Sequence, residues 1–189
     1  MMLKIRIYSR GGQGGKTAAE IFATTAINKG MEAKTFPEFG PERTGAPTNF
    51  YIKIGEGGDK AIRSNEPVEK SDIVLVLDED LPNVGGIIEH LGKGGTFIFN
   101  SSKTPVELKE KFFPKISNIK ILSIDATKIS FELFGKDFPN ISAIGTLAKV
   151  SGILSLEELA KSVESKFSRL PKEVLEKNIK ALKIGYEKI

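Results

Sequence analysis

Six consecutive residues, Arg10-Gly11-Gly12-Gln13-Gly14-Gly15, constrain the fold of this chain more than any other stretch. They follow Leu3–Tyr8, where Leu3, Ile5 and Ile7 alternate with Lys4 and Arg6 as in a strand. They lead into Lys16–Lys29, where Ala19, Phe22, Ala23, Ala26 and Ile27 recur at helical spacing and Gly30 is a stop signal. Strand, glycine turn and helix in that order open a βαβ unit, which commits the chain to the α/β class.

The remaining periodicity agrees. Glu32–Phe36 reads as a second strand, Pro37–Pro47 as an irregular loop with three prolines, and Thr48–Ile54 as a third strand. Gly55-Glu56-Gly57-Gly58-Asp59 and the short Ala61–Arg63 after it predict a hairpin with Thr48–Ile54. Ile73–Leu77 is wholly apolar between Asp72 and Asp78, as in a strand buried on both faces. A helix is expected over Leu81–Leu91, strands over Thr96–Phe99 and Ile119–Ile124, and helices over Asp125–Phe134, Ile141–Val150, Ser155–Phe167 and Pro171–Lys188. Ser155 with Glu158 forms a capping box, and Pro171 suits a helix start. The expected architecture is a three-layer α/β/α domain spanning residues 1–189, with a mostly parallel mixed sheet including one hairpin and with C-terminal helices. Its last two helices are open to packing on the sheet or reaching toward another chain.

Composition narrows the chemistry. With 189 residues the chain can bury a full core without staples. It has no cysteine, so it carries no disulfide, thiol nucleophile, cysteine-ligated zinc or iron–sulfur cluster. Its single histidine, His90, removes multi-histidine metal sites and leaves a Ser-His-Asp triad without support. The net charge of +4 is diffuse: residues 1–100 hold 12 basic and 13 acidic residues, residues 101–189 hold 16 and 11, and the signs alternate as on a solvated helix surface. Nucleic acid is therefore not an expected partner. No apolar run approaches the ~20 residues of a membrane helix, and Met1–Tyr8 has no signal-peptide core, so a cytoplasmic chain without membrane attachment is expected.

The glycine cluster invites a phosphate-binding reading, because unhindered N–H groups and a helix N-terminus attract anions. It misses both standard spacings. A P-loop needs glycine five residues before Gly15, where Arg10 stands, and a dinucleotide fingerprint from Gly12 and Gly14 needs glycine at Thr17. Two alternatives stay open: a nucleotide-binding or hydrolysing protein using Gly11–Thr17 and Asp78, and a stand-alone binding domain for coenzyme A or a flavin-like ligand. The plain structural reading is a tight strand-to-helix turn. His90 reads as a helix-end residue, and Asp78-Glu79-Asp80 as a solvated strand exit.

The proline-stiffened loop carries two phenylalanines, two glutamates and Arg43, which is interface chemistry. In a parallel sheet it and the glycine loop leave the carboxyl ends of strands, where such sheets bind ligands and partners. Arg10-Gly11-Gly12-Gln13-Gly14, Thr17-Ala18, Phe36-Pro37, Phe39-Gly40-Pro41-Glu42-Arg43 and Gly45-Ala46-Pro47 together resemble the gamma subunits of 2-oxoacid:ferredoxin oxidoreductases. The likeness continues through Arg63-Ser64, Asp72–Asp78, Asn140–Gly152 and Pro171–Tyr186, and departs at Thr44, where many members are expected to carry a second basic residue.

The resemblance implies a complex, most simply of the pyruvate type, that converts a 2-oxoacid and coenzyme A to acyl-CoA and carbon dioxide and passes electrons to ferredoxin. The 2-oxoisovalerate and 2-oxoglutarate versions are alternatives. It places thiamine diphosphate with Mg in alpha and beta subunits and iron–sulfur clusters in delta and beta. The gamma chain is left a docking and shaping role, with no catalytic residue of its own. Gly11, Gly12, Gln13 and Gly14 are then expected to offer hydrogen bonds at a subunit or coenzyme A surface, with Arg10 and Arg43 supplying positive charge.

Overall fold

The computed structural model describes residues 2–39, 47–81 and 87–189. Its centre is a six-stranded sheet: β1 (Leu3–Arg10), β2 (Glu32–Phe39), β3 (Pro47–Gly55), β4 (Ser71–Val76), β5 (Leu91–Asn100) and β6 (Lys120–Ile124), in the order β2-β3-β1-β4-β5-β6. Strands β1, β4, β5 and β6 pair in parallel, while β3 runs antiparallel to both β1 and β2. Only β3 is reversed, so the sheet is mixed and mostly parallel.

One face packs against α1 (Gly15–Asn28), α4 (Ala126–Phe134), α5 (Asn140–Ser151), α6 (Leu156–Lys166) and α7 (Lys172–Glu187). Ile5 and Ile7, Ile52 and Ile54, and Ile73 and Leu75 are buried there with Phe22, Ile144 and Leu147. The opposite face of β4–β6 sends Val74, Val76, Phe97, Phe99 and Ile121 to α3 (Pro105–Phe112) and to a 3-10 turn at Ile87–His90. Phe97 stacks on Phe113 at 5.1 Å. That division is the two-residue period of the strands, and it explains why Ile73–Leu77 needs no polar residue.

Four expectations are corrected. The hairpin is β2–β3, with Phe36 opposite and stacked on Tyr51. Residues Lys60–Arg63 instead form a helical turn, α2, because Asp59 caps it by accepting the amide of Ala61. Strand β2 also runs on through Pro37 to Phe39, which an edge strand permits because it need not offer every N–H. The helix expected over Leu81–Leu91 is, among the described residues, a 3-10 turn, and Leu91 already belongs to β5. Gly92 and Gly95 allow this early start: a Cβ at Gly95 would lie 2.8 Å from the carbonyl oxygen of Asp72 on β4. Helix α3 was not anticipated, although Thr104 and Glu107 form a complete capping box ahead of it with Pro105 in the first turn.

The last helices pack inward. Helix α7 crosses α5 at glycine contacts so close that a Cβ at Gly185 would fall 1.9 Å from the carbonyl oxygen of Ser142. Thr146 Oγ1 also donates to the carbonyl of Gly185 at 2.7 Å. Among the described residues, no helix is long and apolar enough to cross a membrane.

Candidate functional site at the carboxyl edge of the sheet

The glycine turn joins β1 to α1 at the end of the sheet where β4 and β5 also terminate. Gly12 and Gly14 have φ values of +100° and +76°, a region open to glycine at little cost. Gly15 is required by space, since a Cβ there would sit 2.3 Å from Ser9 Oγ and 2.9 Å from the Phe50 ring. Gly14 further abuts the Asn140 side chain, which reaches its carbonyl at 3.4 Å from α5. Three of the four glycines thus answer to the turn itself. Gly11 and Gly12 are exposed at its tip.

Gln13, the only glutamine of the chain, folds back into this turn. Its Oε1 accepts the Arg10 amide at 2.8 Å, and its Nε2 donates to Asp78 Oδ2 at 3.1 Å. Arg10 Nε donates to the same oxygen at 2.8 Å. Asp78 Oδ1 accepts the Asp80 amide. Asp78 therefore ties the end of β4 to the glycine turn, and Arg10 and Gln13 are brought together on one carboxylate rather than aimed singly at solvent. Arg43 lies outside the described residues. The strand ends flanking that segment are nonetheless at this edge, with Pro47 opposite Arg10 and Thr48 opposite Phe39.

Beside Asp78, Glu79 is surrounded by donors. Lys103 Nζ and Ser101 Oγ make close hydrogen bonds to it, and Lys111 Nζ adds a third at 3.0 Å. Burial alone would raise the Glu79 carboxyl, but these donors outweigh it and hold its pKa at about 2. Asn100, at the end of β5, donates to the Leu77 carbonyl and to Thr127 Oγ1, both at 2.9 Å. Gln13, Asp78, Glu79, Asn100, Asp125 and Lys128 line a shallow depression of about 470 Å³. Sequence reading passed over the Glu79 and Asn100 contacts because their partners lie more than 20 residues away.

This edge offers polar side chains, a rigid turn and the N-terminus of α1, which carries no side-chain cap and no acidic residue in its first turn. It suits docking and anion contact. The P-loop reading loses ground: Lys16, which would have to curl over bound phosphates, pairs with Glu20 one turn further along α1. The Asp78 oxygens are likewise committed to protein donors.

Comparison with known proteins accounts for the whole chain. The pattern of the family described as pyruvate ferredoxin/flavodoxin oxidoreductase matches residues 4–188. Pyruvate synthase subunit PorC of Thermotoga maritima is 37% identical over 187 residues, 98% of this chain and 94% of that protein. The pyruvate/ketoisovalerate oxidoreductases common subunit gamma of Thermococcus litoralis is 37% identical over 187 residues, covering 99% and 97%. In structure, the Thermotoga maritima pyruvate oxidoreductase subunit superposes with a TM-score of 0.83 at 36% identity, covering 98% of this chain and 96% of the other. The gamma subunit of a keto/oxoacid ferredoxin oxidoreductase from Geobacter sulfurreducens, at 24% identity and a TM-score of 0.72, shares the fold. The chain therefore belongs to the pyruvate ferredoxin/flavodoxin oxidoreductase family.

Proposed function

We propose that this chain is the gamma subunit of a thiamine diphosphate-dependent 2-oxoacid:ferredoxin oxidoreductase of the pyruvate type. The complex interconverts pyruvate and coenzyme A with acetyl-CoA and carbon dioxide, passing two electrons to ferredoxin. The observation that carries this reading is the 37% identity to a pyruvate synthase subunit over 98% of the chain and 94% of the relative. The gamma subunit of Thermococcus litoralis is described as common to pyruvate and ketoisovalerate oxidoreductases. A gamma chain of that kind leaves the choice of 2-oxoacid to other subunits, so the ketoisovalerate version stands as the second reading.

The residues present do not fit a redox centre. There is no cysteine to ligate a cluster, and among the described residues no group of three or more histidine or acidic side chains is arranged to hold a metal. Thiamine diphosphate, Mg and the iron–sulfur clusters accordingly belong to the alpha, beta and delta chains in this proposal, since the cofactor performs the difficult chemistry and protein supplies position. This chain contributes the rigid glycine turn, with Arg10, Gly11, Gly12, Gln13 and Gly14 and the neighbouring Arg43 segment, as a surface for partner subunits and coenzyme A.

Native purification with mass analysis of the co-purifying chains tests the assignment. Alpha, beta and delta chains in constant ratio are expected, and a solitary monomer overturns it. Within the assembled enzyme, Arg43→Ala is expected to weaken assembly or raise the KM for coenzyme A. No change in either removes the proposed role of that segment.

A further inference from the structure

On the face of β1 and β3 turned away from α1, the side chains are polar and aromatic where a core would be apolar. Arg6 is the clearest case. It is 3% exposed, yet among the described residues no carboxylate lies within ion-pair distance of its guanidinium. NH1 donates to the Tyr8 hydroxyl at 2.9 Å, NH2 donates to the Val68 carbonyl, and the guanidinium lies over the Tyr51 ring at 4.7 Å. Nε has no hydrogen-bond partner. A buried charge in such a setting ordinarily has a counter-charge, because neutral partners recover only part of the lost hydration.

One acid within electrostatic reach, Glu38, is turned elsewhere: it accepts from the Tyr51 hydroxyl and from Asn49 Nδ2. Beside Arg6 opens a cavity of about 490 Å³, also lined by Asn49, Tyr51, Lys70 and His90. The Tyr8 hydroxyl, which accepts from Arg6, meets His90 at Nδ1. With the Tyr8 proton directed at Nδ1, a neutral His90 ring carries its own proton on Nε2. Burial first, and the Arg6 charge second, hold His90 below its usual pKa, so the ring is neutral near pH 7.

We propose that this cavity is a binding site for a small monocarboxylate, whose anionic oxygens supply the counter-charge that no described residue pairs with Arg6 and accept from the His90 ring. Glu38, Glu69 and Glu89 line the same cavity and set the charge limit, since a dianion would meet their repulsion. The carboxylate is either a free acid or a side-chain or terminal carboxylate of a partner subunit, the two sharing one chemistry. The site lies on the opposite sheet face from α1 and does not depend on the oxidoreductase assignment.

The test is protection of His90 from diethylpyrocarbonate, read by peptide mass analysis; as the only histidine it gives an unambiguous signal. In the isolated full chain, acetate is expected to slow modification saturably, whereas chloride at equal ionic strength does not. Absence of acetate protection, or stronger protection by methylammonium, overturns the proposal. Arg6→Met should abolish protection. Because Arg6 is buried and its loss also strains the fold, Glu38→Gln provides a second check: it removes a nearby negative charge and is expected to tighten acetate several-fold, and an unchanged affinity counts against the site. In the native assembly, protection only on adding acetate identifies a free acid, and protection without acetate, released on dissociation, identifies a partner carboxylate.

Discussion

Arg10 Nε donates to Asp78 Oδ2 at 2.8 Å, joining the end of β1 to the end of β4 across 68 residues of sequence. The two strands are already neighbours through the sheet, so the bond adds orientation: it fixes which way the glycine turn leaves β1. Gln13 uses the same oxygen and the Arg10 amide, so one carboxylate sets both side chains.

Asp78→Asn is therefore expected to loosen the turn without unfolding the chain. Losing a charge-assisted pair that is partly buried costs about 1–3 kcal/mol. Denaturant unfolding should show that loss with an unchanged m-value, and binding to partner subunits should weaken beyond what the lost stability explains. Wild-type assembly at wild-type stability would show that the clamp is unnecessary.

Gly185→Ala tests the contact that seats α7. With Cβ placed 1.9 Å from the Ser142 carbonyl oxygen, backbone must move, since no flexible side chain can yield. A loss of about 3 kcal/mol or more is expected, at the upper end for overpacked sites. Ala181→Gly on the same helix supplies a contrast, because it lowers helix propensity without a clash, and its cost should be smaller.

Acid titration should reveal the Glu79 cluster. Its carboxyl is held at about 2 in the folded chain against a usual 4.5, so it contributes stability above pH 4.5 and loses it as pH falls toward 2. The thermal-stability advantage of wild type over Glu79→Gln is expected to be constant at neutral pH and to shrink through that window. His90 acts in the same direction at higher pH. Its folded pKa lies below the usual 6.5, so stability falls as pH drops beneath that value, and His90→Gln should flatten this part of the curve.

Lys16→Ala separates docking from nucleotide chemistry. The Lys16 side chain is 73% exposed and its pair with Glu20, at 3.6 Å, is a surface contact within one helix. Stability is expected to change by no more than about 0.5 kcal/mol. Pyruvate oxidation by the assembled enzyme should be unaffected. A collapse of activity would return the P-loop reading to consideration.

Taken alone, the sequence determined the class of fold, the alternation of β1, the doubly buried β4, the C-terminal helices and the absence of cysteine. Each of these is written in local periodicity, capping residues or residue type. It misplaced the hairpin, since β3 turns back on β2, where Phe36 lies opposite and stacks on Tyr51, and it read Leu81–Leu91 as helix, since Gly92 and Gly95 reveal their use only against the β4 backbone. The Asp78 clamp, the donors around Glu79 and the Arg6 cavity were likewise invisible. Their members are distant in sequence, and electrostatic and hydrogen-bond energies depend on distance in space, which only the assembled sheet sets.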